Sequence, residues 1–506
     1  MNKKYFFPKK EYNKEKRGEA MSFVARKEEL AILESQYKKT SSTFVAVYGR
    51  RRVGKTELIN NFFAQKECFL FSLTGAYHAT QEAHLANFAD KFGMAFGKRS
   101  DEVAISTWSE AFIALRNALM DVKPKKGCKL GIFIDELPWL ASMKGNGFKS
   151  ALSLFWNDFA SKRDDIMLVV CGSATSWIIE HIIDDRGSLA NRITASIHLQ
   201  SFTIKETKAF LLAHGFRNIS TRELSEYYIV FGGVAHYLGL IDSKKSFIQN
   251  IQLLFFSQNA LLRTEYARLF RSLFKNHHIH ELIIKTLVKK WSGMSFSELK
   301  KSKKLSSSSQ LHGALEELEA SGFIIKHFKY GQKKKDTLYR VKDPFVFFFT
   351  KWVEKTSIVE LMQNRNYFLS IYQSQKYKIW SGYAFENIAH NHILELKEAL
   401  GIGAVFTTSH YWRYIPKNAD EQGVQIDLLL IRADGVANII ECKFTNKPFV
   451  INKKYASELE NKITVFNEQT NYKFMTNVVM FTLNGVKENQ YTGYLLGDDL
   501  LVGDIA

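Results

Sequence analysis

The sequence predicts an α/β protein built from several domains, and three patterns carry that prediction. A short apolar strand at 43–48 runs into a glycine-containing loop and then into a helix-favouring segment. Residues 297–341 follow a helix–turn–helix–hairpin rhythm, and residues 424–444 read as two strands joined by a tight turn. A chain of 506 residues exceeds what one hydrophobic core supports, so about three domains are expected.

The composition fits a folded chain, and its charge is uneven. Hydrophobic residues make up 46% and charged residues 24%, which argues against extensive disorder. The formal net charge is +19, and residues 271–380 alone hold 21 basic and 9 acidic residues. Residues 381–506 hold 11 basic and 15 acidic residues. A polyanion is therefore expected to meet the middle segment, and a coding bias toward lysine is the competing explanation.

No part of the sequence points to a membrane or to secretion. The densest apolar run, around Pro344 to Phe349, is far shorter than the ~18 residues of a membrane span. The first twenty residues are charged and lack the apolar core of a signal peptide. The four cysteines form no C-x-x-C pair, which favours a reducing compartment. These features predict a cytoplasmic protein without a membrane partner.

The loop after the first strand has the pattern of a phosphate-binding loop. It reads GRRRVGKT and matches G-x-x-x-x-G-K-[ST] between a strand and a helix. Glycines let backbone N–H groups curl around phosphate oxygens, Lys55 adds a positive charge, and the Thr56 hydroxyl is a Mg²⁺ ligand. The pattern predicts a site for ATP and Mg²⁺. The residues expected to contact the nucleotide are Gly49, Arg52, Val53, Gly54, Lys55 and Thr56.

Residues at later strand ends complete the predicted ATP site. The strand KLGIFIDE ends in Asp135, expected to hold Mg²⁺, and Glu136, expected to polarise the attacking water. Ser173 follows the next buried strand, predicted at 166–171, and is a candidate γ-phosphate sensor, with a helix cap as the alternative. Arg192 is a candidate to reach the γ-phosphate, in cis or across a subunit interface, with a structural salt bridge as the alternative.

Taken together, these segments resemble the archaeal-type ATPase family of the AAA+/STAND branch of P-loop NTPases. The segments that carry the resemblance are FVARKEELAIL, VYGRRRVGKTELI, FIDELPWL, VVCGSATSWI, GSLANRITASIHL and FGGVAHYL. It covers roughly residues 23–270 and implies a RecA-like parallel core followed by a helical lid from about residue 201. It also implies that Arg26 approaches the nucleotide. Ala235 stands where the family often has proline, so the start of the lid helix is expected to differ in detail.

Residues 297–341 have the element order of a winged helix. The expected elements are a helix at 297–304, a second helix ended by Gly322, and strands at 324–330 and 337–341. Leu311, Leu315 and Leu318 fall on one face of the second helix. Its start is polar, with Ser307, Ser308, Ser309, Gln310 and His312, and the loop between the strands carries Lys333, Lys334 and Lys335.

The winged-helix pattern predicts a DNA partner. In such a module the second helix can enter a major groove while the wing contacts phosphates. The +12 charge of residues 271–380 favours this interpretation. The alternatives are a spacer between two domains and a module for protein contacts.

The turn Ala433-Asp434-Gly435 joins two strand patterns that carry acidic residues. Folding the hairpin brings Asp427 opposite or next to Glu441, and Lys443 shares the face of Glu441. Two such carboxylates can hold Mg²⁺ or Mn²⁺, and a lysine beside them can orient or deprotonate water. Glu386, near the start of an apparent helix that opens at 382–386 and runs through 400, is expected to supply a third carboxylate.

This arrangement resembles the PD-(D/E)XK nuclease superfamily over about residues 379–480. The resemblance implies a restriction-endonuclease-like domain with Glu386, Asp427, Glu441 and Lys443 as catalytic residues. It implies a metal held by Asp427 and Glu441. One alternative is a surface hairpin with a salt bridge between Glu441 and Lys443, and another is an inactive site kept for binding.

The combined prediction is an α/β chain with a RecA-like P-loop sheet and helical lid, then a winged helix and a restriction-endonuclease-like domain. The expected limits are 1–22 for a basic tail, 23–200 for the ATPase core, 201–275 for the lid, 276–343 for the winged helix, 344–378 for a connection and 379–506 for the nuclease-like domain. The expected function couples ATP hydrolysis to DNA binding and metal-dependent cleavage, and a homo-oligomer is left open. The alternative is a nucleotide-switched DNA-binding or signalling ATPase with an inactive nuclease fold.

Overall fold

The structure is a computed structural model, and it divides the chain into two compact units after Gln200. It describes residues 23–66, 68–143, 145–305, 307–331, 337–416, 418 and 421–506. The predicted basic tail and the predicted wing tip at Lys333–Lys335 lie outside these residues. Within the described ranges, no helix combines the length and apolarity that a membrane crossing needs.

The first unit is built on a parallel sheet of five strands. The strands are β1 Thr43–Tyr48, β2 Leu70–Thr74, β3 Leu130–Asp135, β4 Ile166–Gly172 and β5 Ala195–His198. They lie in the order β2-β3-β4-β1-β5. Every residue of β3 and β4 is buried, as expected for central parallel strands rich in branched apolar residues. The predicted strands at 43–48, 129–136 and 166–171 are confirmed.

Helices cover both faces of this sheet. They are α1 Lys27–Tyr37, α2 Lys55–Ala64, α3 Gln81–Phe96, α4 Trp108–Met120, α5 Leu137–Ala141, α6 Phe148–Asp158 and α7 Thr175–Ile178. One hydrophobic cluster joins Phe44 to Trp108 and Trp156, and a second joins Val45 to Phe62 and Leu33. Successive residues of β1 therefore serve opposite faces of the sheet, which is the two-sided burial that an α/β core requires.

The second unit begins with helices at the predicted lid. They are α8 Ile204–Ala213, α9 Thr221–Phe231, α10 Ala235–Leu238, α11 Phe247–Phe255 and α12 Glu265–Leu273. Thr203 and Glu206 form a capping box at the start of α8, which satisfies backbone N–H groups left free by the first turn. Gly233 is required where it stands, because an added Cβ would lie 2.1 Å from the Phe202 carbonyl oxygen.

The winged-helix segment follows. Its elements are α13 His277–Leu287, β6 Met294–Ser295, α14 Phe296–Lys300, α15 Ser308–Ala320, β7 Ile324–His327 and β8 Leu338–Val341. The three strands pair in the order β6-β8-β7. Leu311, Leu315 and Leu318 are fully buried on α15, which confirms the predicted apolar face.

The predicted strand at 324–330 is too long. Strand β7 ends at His327, and the next residues turn away from the winged-helix sheet. The Tyr330 amide donates to the Tyr411 carbonyl at 3.2 Å, and the Tyr411 amide donates to the Phe328 carbonyl at 3.2 Å. The strand pattern of the sequence continues through residue 330 because extended backbone suits pairing with either sheet. Which sheet residues 328–330 pair with depends on Tyr411, far along the chain.

Helices link this segment to the C-terminal sheet. They are α16 Pro344–Phe348, α17 Ile358–Gln363, α18 Tyr367–Gln373, α19 Gln375–Asn391 and α20 Ile393–Ala399. The aromatic run at 345–349 is buried. The helix expected to open at 382–386 instead starts at Gln375, where Ser374 caps it, so Glu386 lies in its interior. A helix from 386 through 400 is also wrong, because α19 ends at Asn391 and α20 follows it.

The C-terminal sheet is mixed. Its strands are β9 Thr407–Tyr414, β10 Val424–Arg432, β11 Val436–Lys443, β12 Met475–Thr482 and β13 Asp498–Leu501. The order is β13-β12-β11-β10-β9, with an antiparallel hairpin between β10 and β11 and parallel pairing from β11 to β13. Helix α21 Lys453–Gln469 packs on the sheet through Leu459 and Phe466, and α22 is Thr492–Leu495. The predicted hairpin around Gly435 is confirmed.

Candidate functional site

The phosphate loop (Gly49–Gly54) lies at the carboxyl end of β1, between two neighbours, β4 and β5. Gly49, Arg52 and Gly54 all have positive φ, at 139°, 73° and 98°. An added Cβ at Gly49 would lie 2.3 Å from the Leu199 carbonyl oxygen, so only glycine fits there. Such a backbone turns successive N–H groups inward, which is the geometry that cradles an anion at a helix start.

Lys55 is folded onto the phosphate loop. Its Nζ donates to the carbonyl oxygens of Gly49 and Arg50, each at 2.9 Å, and the residue is 5% exposed. Burial lowers the pKa of the Lys55 ammonium, and the nearby charges of Glu136 and Asp135 oppose that shift. A bound polyphosphate would supply the negative charge that this buried cation lacks.

Thr56 and Asp135 meet across the sheet edge. The Thr56 Oγ1 donates to the Asp135 Oδ2 at 2.7 Å, and Asp135 Oδ1 accepts from the Glu136 amide at 2.9 Å. One hydroxyl and one carboxylate oxygen in contact are the hard donors that Mg²⁺ prefers. The residues present therefore fit the predicted metal.

Glu136 and Ser173 are hydrogen-bonded to each other. Glu136 has φ 48° and starts α5, and its Oε1 accepts from the Ser173 hydroxyl at 2.9 Å. Ser173 does not cap the helix that follows it, because Ala174 occupies the N-cap of α7. Its hydroxyl thus lies at the carboxyl edge of β4, directly on the acid predicted to act on water.

The two predicted arginines differ in their surroundings. Arg26 is 4% exposed, and its Nη2 donates to the carbonyls of Val53, at 3.1 Å, and Gln200, at 2.7 Å. It therefore braces the phosphate loop through backbone. Arg192 lies exposed in the turn before β5.

A second candidate site, the carboxylate site (Glu386, Asp427 and Glu441), lies in the C-terminal part of the chain. The hairpin register ends at the pair Leu428 and Ile440, and Asp427 and Glu441 are the next residues of the two strands. The Asp427 Oδ2 accepts from the Cys442 amide at 3.0 Å. Glu441 is 1% exposed, so its carboxylate depends on protein partners.

Two lysines and a tyrosine surround Glu441. Lys462 Nζ lies 2.7 Å from Oε1, Tyr455 donates to Oε2 at 3.3 Å, and Lys443 Nζ is 4.0 Å from Oε2. Of these residues, Lys443 was predicted from the sequence, whereas Lys462 and Tyr455 were not. Their signal is the spacing on α21, because two residues seven apart share a helix face.

Glu386 is bound by the winged-helix segment. Its Oε2 accepts from Trp291 Nε1 at 3.0 Å, and the Arg340 Nη2 lies 3.9 Å from the same oxygen. Arg340 also donates to the Asn387 Oδ1 at 3.0 Å. Neither Trp291 nor Arg340 was predicted as a partner, since both lie in other parts of the sequence.

The three carboxylates interact electrostatically but do not form one tight cluster. Burial, and then the charge of Asp427, raises the pKa of Glu441 to about 7, and the same two causes hold the pKa of Glu386 well above its usual range. A cation would relieve this repulsion, so Asp427 and Glu441 fit a divalent metal. No choice of one oxygen from each brings all three groups within 4.8 Å of one another.

Among the described residues, the close set of three metal-ligating groups lies elsewhere. His277, His278 and Glu281 at the start of α13 have ligand atoms within 4.8 Å of one another. His277 Nδ1 and Glu281 Oε1 are 3.0 Å apart.

The chain is similar to proteins of archaeal origin. An uncharacterized protein of Methanocaldococcus jannaschii is 24% identical over 428 residues, which cover 83% of this chain and 87% of that protein. An uncharacterized ATP-binding protein of the same organism is 49% identical over 45 residues, covering 9% of this chain and 76% of that protein. A Walker-type ATPase of Pyrococcus abyssi aligns in structure with a TM-score of 0.46 and 17% identity, over 65% of this chain and 96% of that one.

Residues 23–241 match the model of an ATPase domain found predominantly in Archaea. This range contains the phosphate loop, the Thr56–Asp135 contact and the Glu136–Ser173 pair. By sequence and by site, the chain belongs to this archaeal-type family of P-loop ATPases.

Proposed function

We propose that this ATPase controls a metal-dependent nucleic-acid-cleaving site carried by the same chain, while its winged-helix segment holds DNA. The observation that carries the proposal is the position of Asp427 and Glu441, each one residue beyond the Leu428–Ile440 pair of the β10–β11 hairpin, with two lysines at Glu441. The proposal includes the domain limits predicted from the sequence and a cytoplasmic location.

In the ATP site, each residue has a role that its contacts support. Lys55 and the phosphate-loop amides hold the β- and γ-phosphates, and Glu136 orients the attacking water. Mg²⁺, when bound by Thr56 and Asp135, neutralises phosphate charge. Ser173 holds the Glu136 carboxylate in position. Arg192 is exposed and available to a neighbouring copy, so a homo-oligomer forms part of the proposal.

DNA is assigned to the winged-helix segment on charge and exposure. Residues 271–380 carry the largest positive charge of the chain for their length. The start of α15 is exposed at Ser308, Ser309, Gln310 and His312. Polar side chains at the start of such a helix can reach base edges, while lysines nearby contact phosphates.

In the carboxylate site, Asp427 and Glu441 would hold Mg²⁺ or Mn²⁺. The metal, when bound, supplies Lewis-acid polarisation of a phosphate oxygen. Lys443 lies beside Glu441 and is suited to orient or deprotonate water, and Lys462 fixes the Glu441 carboxylate. The C-terminal part has a net charge of −4, so substrate delivery depends on the basic middle segment.

A second candidate function is a nucleotide-switched DNA-binding or signalling ATPase without cleavage. The observation that favours it is the occupation of the acidic groups by cations and a hydrogen-bond donor of the protein itself. Lys462 is ion-paired with Glu441, and Trp291 and Arg340 engage Glu386.

Cleavage of plasmid DNA separates the two candidates. The purified chain is incubated with Mg²⁺ or Mn²⁺, with and without ATP, beside the Lys443→Ala variant. The proposal predicts nicks or breaks with the wild-type chain and intact plasmid with the variant. Equally intact plasmid in every condition favours the second candidate, and equal cutting by both chains identifies a contaminating nuclease.

A further inference from the structure

The carboxylate site contains a fixed positive charge that comes from the winged-helix segment. Arg340 lies on β8, and its guanidinium carbon is 3.7 Å from the centroid of the Trp291 ring. Its Nη2 contacts the Asn387 Oδ1 at 3.0 Å and lies 3.9 Å from the Glu386 carboxylate. Stacking and hydrogen bonding together hold this cation in one place.

The contact is part of a larger junction within the second unit. Phe328 and Tyr330, just after β7, pair with Tyr411 on β9, so the winged-helix backbone continues the edge of the C-terminal sheet. His327 packs against His390 with ring centroids 4.7 Å apart. Arg340 therefore reaches Glu386 from a segment anchored at several points.

These contacts give Glu386 surroundings that differ from those of Asp427 and Glu441. Its Oε2 accepts from Trp291 Nε1 and its side chain is 10% exposed. Within the described residues, Glu386 does not join Asp427 and Glu441 in one tight ligand cluster. A second divalent cation beside Glu386 would have to approach a buried guanidinium, and like charges repel strongly where water is excluded.

We propose that Arg340 and Trp291 hold Glu386 outside the metal coordination, so that the carboxylate site binds one divalent cation through Asp427 and Glu441. Arg340 takes the place that a second cation would otherwise occupy. It is a positioning residue in this scheme, and Glu386 is its counter-ion. This assignment rests on the proposed metal-dependent function.

Mn²⁺ binding to the full-length chain tests the assignment. Free Mn²⁺ is measured by electron paramagnetic resonance during titration without nucleotide. The reference is the double variant Asp427→Asn with Glu441→Gln, which subtracts Mn²⁺ held elsewhere, including at His277, His278 and Glu281. The expected result for the wild-type chain is one additional Mn²⁺ relative to this reference.

Single variants distinguish ligands from the counter-ion. Asp427→Asn is expected to weaken the Mn²⁺ affinity by at least about tenfold, and Glu386→Gln by less than about threefold. Arg340→Gln is expected to add a second Mn²⁺, and combining it with Glu386→Gln is expected to return the count to one. Trp291→Phe keeps a ring for Arg340 and removes the N–H donor, so it tests the hydrogen bond without opening a large cavity.

Each contrary outcome has its own meaning. If Glu386→Gln weakens Mn²⁺ binding as strongly as Asp427→Asn, Glu386 is a ligand and the inference is wrong while the metal site stands. Two Mn²⁺ in the wild-type chain also overturn it. If the wild-type chain binds no more Mn²⁺ than the double variant, the proposed metal-dependent function fails, and the inference with it.

Discussion

The Ser173 hydroxyl donates a hydrogen bond of 2.9 Å to the Glu136 carboxylate. The two residues come from the carboxyl ends of β4 and β3, which pair as neighbours in the parallel sheet. Ser173 is 6% exposed, so few other hydrogen-bond partners are available to its hydroxyl. The contact links the candidate sensor of the γ-phosphate to the candidate base for the attacking water.

Ser173→Ala should therefore slow ATP hydrolysis more than ATP binding. We expect kcat to fall by about tenfold or more, a part of the 10²–10⁴-fold that a positioned base supplies, with KM for ATP little changed. Ser173→Thr keeps the hydroxyl and is the matched control. A steady-state ATPase assay checks this, and an unchanged kcat for Ser173→Ala would exclude a role for the hydrogen bond.

Lys55→Ala should abolish ATP turnover. The variant removes the ammonium that spans the carbonyls of Gly49 and Arg50 and that would otherwise meet the phosphates. Binding of a fluorescent ATP analogue should weaken by more than about tenfold, since charge-assisted contacts to phosphate are among the strongest available. Arg26→Ala is the comparison variant, because Arg26 contacts the backbone of the phosphate loop. Undiminished turnover by Lys55→Ala would refute the site assignment.

The raised pKa of Glu441 predicts a pH dependence of stability in metal-free buffer. Its pKa in the folded chain is about 7, above the unfolded value near 4.5. Between these pH values Glu441 is still protonated in the folded chain but has lost its proton in the unfolded chain. The cost in free energy of unfolding therefore grows as pH rises from about 4.5 to about 7. The cost is complete above pH 7.

Thermal melting of the wild-type chain and Glu441→Gln checks this sign. The variant cannot titrate at this position, so its melting temperature should rise relative to that of the wild-type chain between pH 5 and pH 8. The comparison cancels the many other groups that titrate in both chains. A constant difference across this range would contradict the account of Glu441.

Exposed lysines of the winged-helix segment should contribute to DNA binding without sequence preference. Lys301 and Lys304 are exposed between α14 and α15. Replacing both with serine should lower the magnitude of the slope of log affinity against log salt by up to about two. Lys205 and Lys244, exposed in the region of α8 to α11, form the matched pair. Equal losses from both pairs would indicate general charge rather than a winged-helix contact.

The layout of the candidate ATP site was predictable because its residues are local in the sequence. The phosphate loop occupies adjacent positions, and the strand ending in Asp135 and Glu136 reads as buried from its own apolar run. Parallel pairing then brings strand ends to one edge, as general sheet geometry requires. The Glu136–Ser173 bond was the part left open, because a serine after a strand also suits a helix cap.

The carboxylate site was predictable only where the hairpin is local. The turn at Gly435 sets the register that ends at Leu428 and Ile440, next to Asp427 and Glu441. The partners of Glu386 are Trp291 and Arg340, 95 and 46 residues earlier, and residue periodicity reports burial without naming the segment that causes it. The start of α19 was misplaced for a related reason, because the sequence around Glu386 is helical on both sides of the expected boundary.

The most direct test of the account is the rate of DNA cleavage with and without ATP, measured in Mg²⁺ for three chains. We expect ATP to change the rate of the wild-type chain, to leave the rate of Lys55→Ala unchanged, and to have nothing to act on in Lys443→Ala, which should not cut. A wild-type rate that is the same with and without ATP, or cutting by Lys443→Ala at the wild-type rate, would contradict the coupling of the two sites.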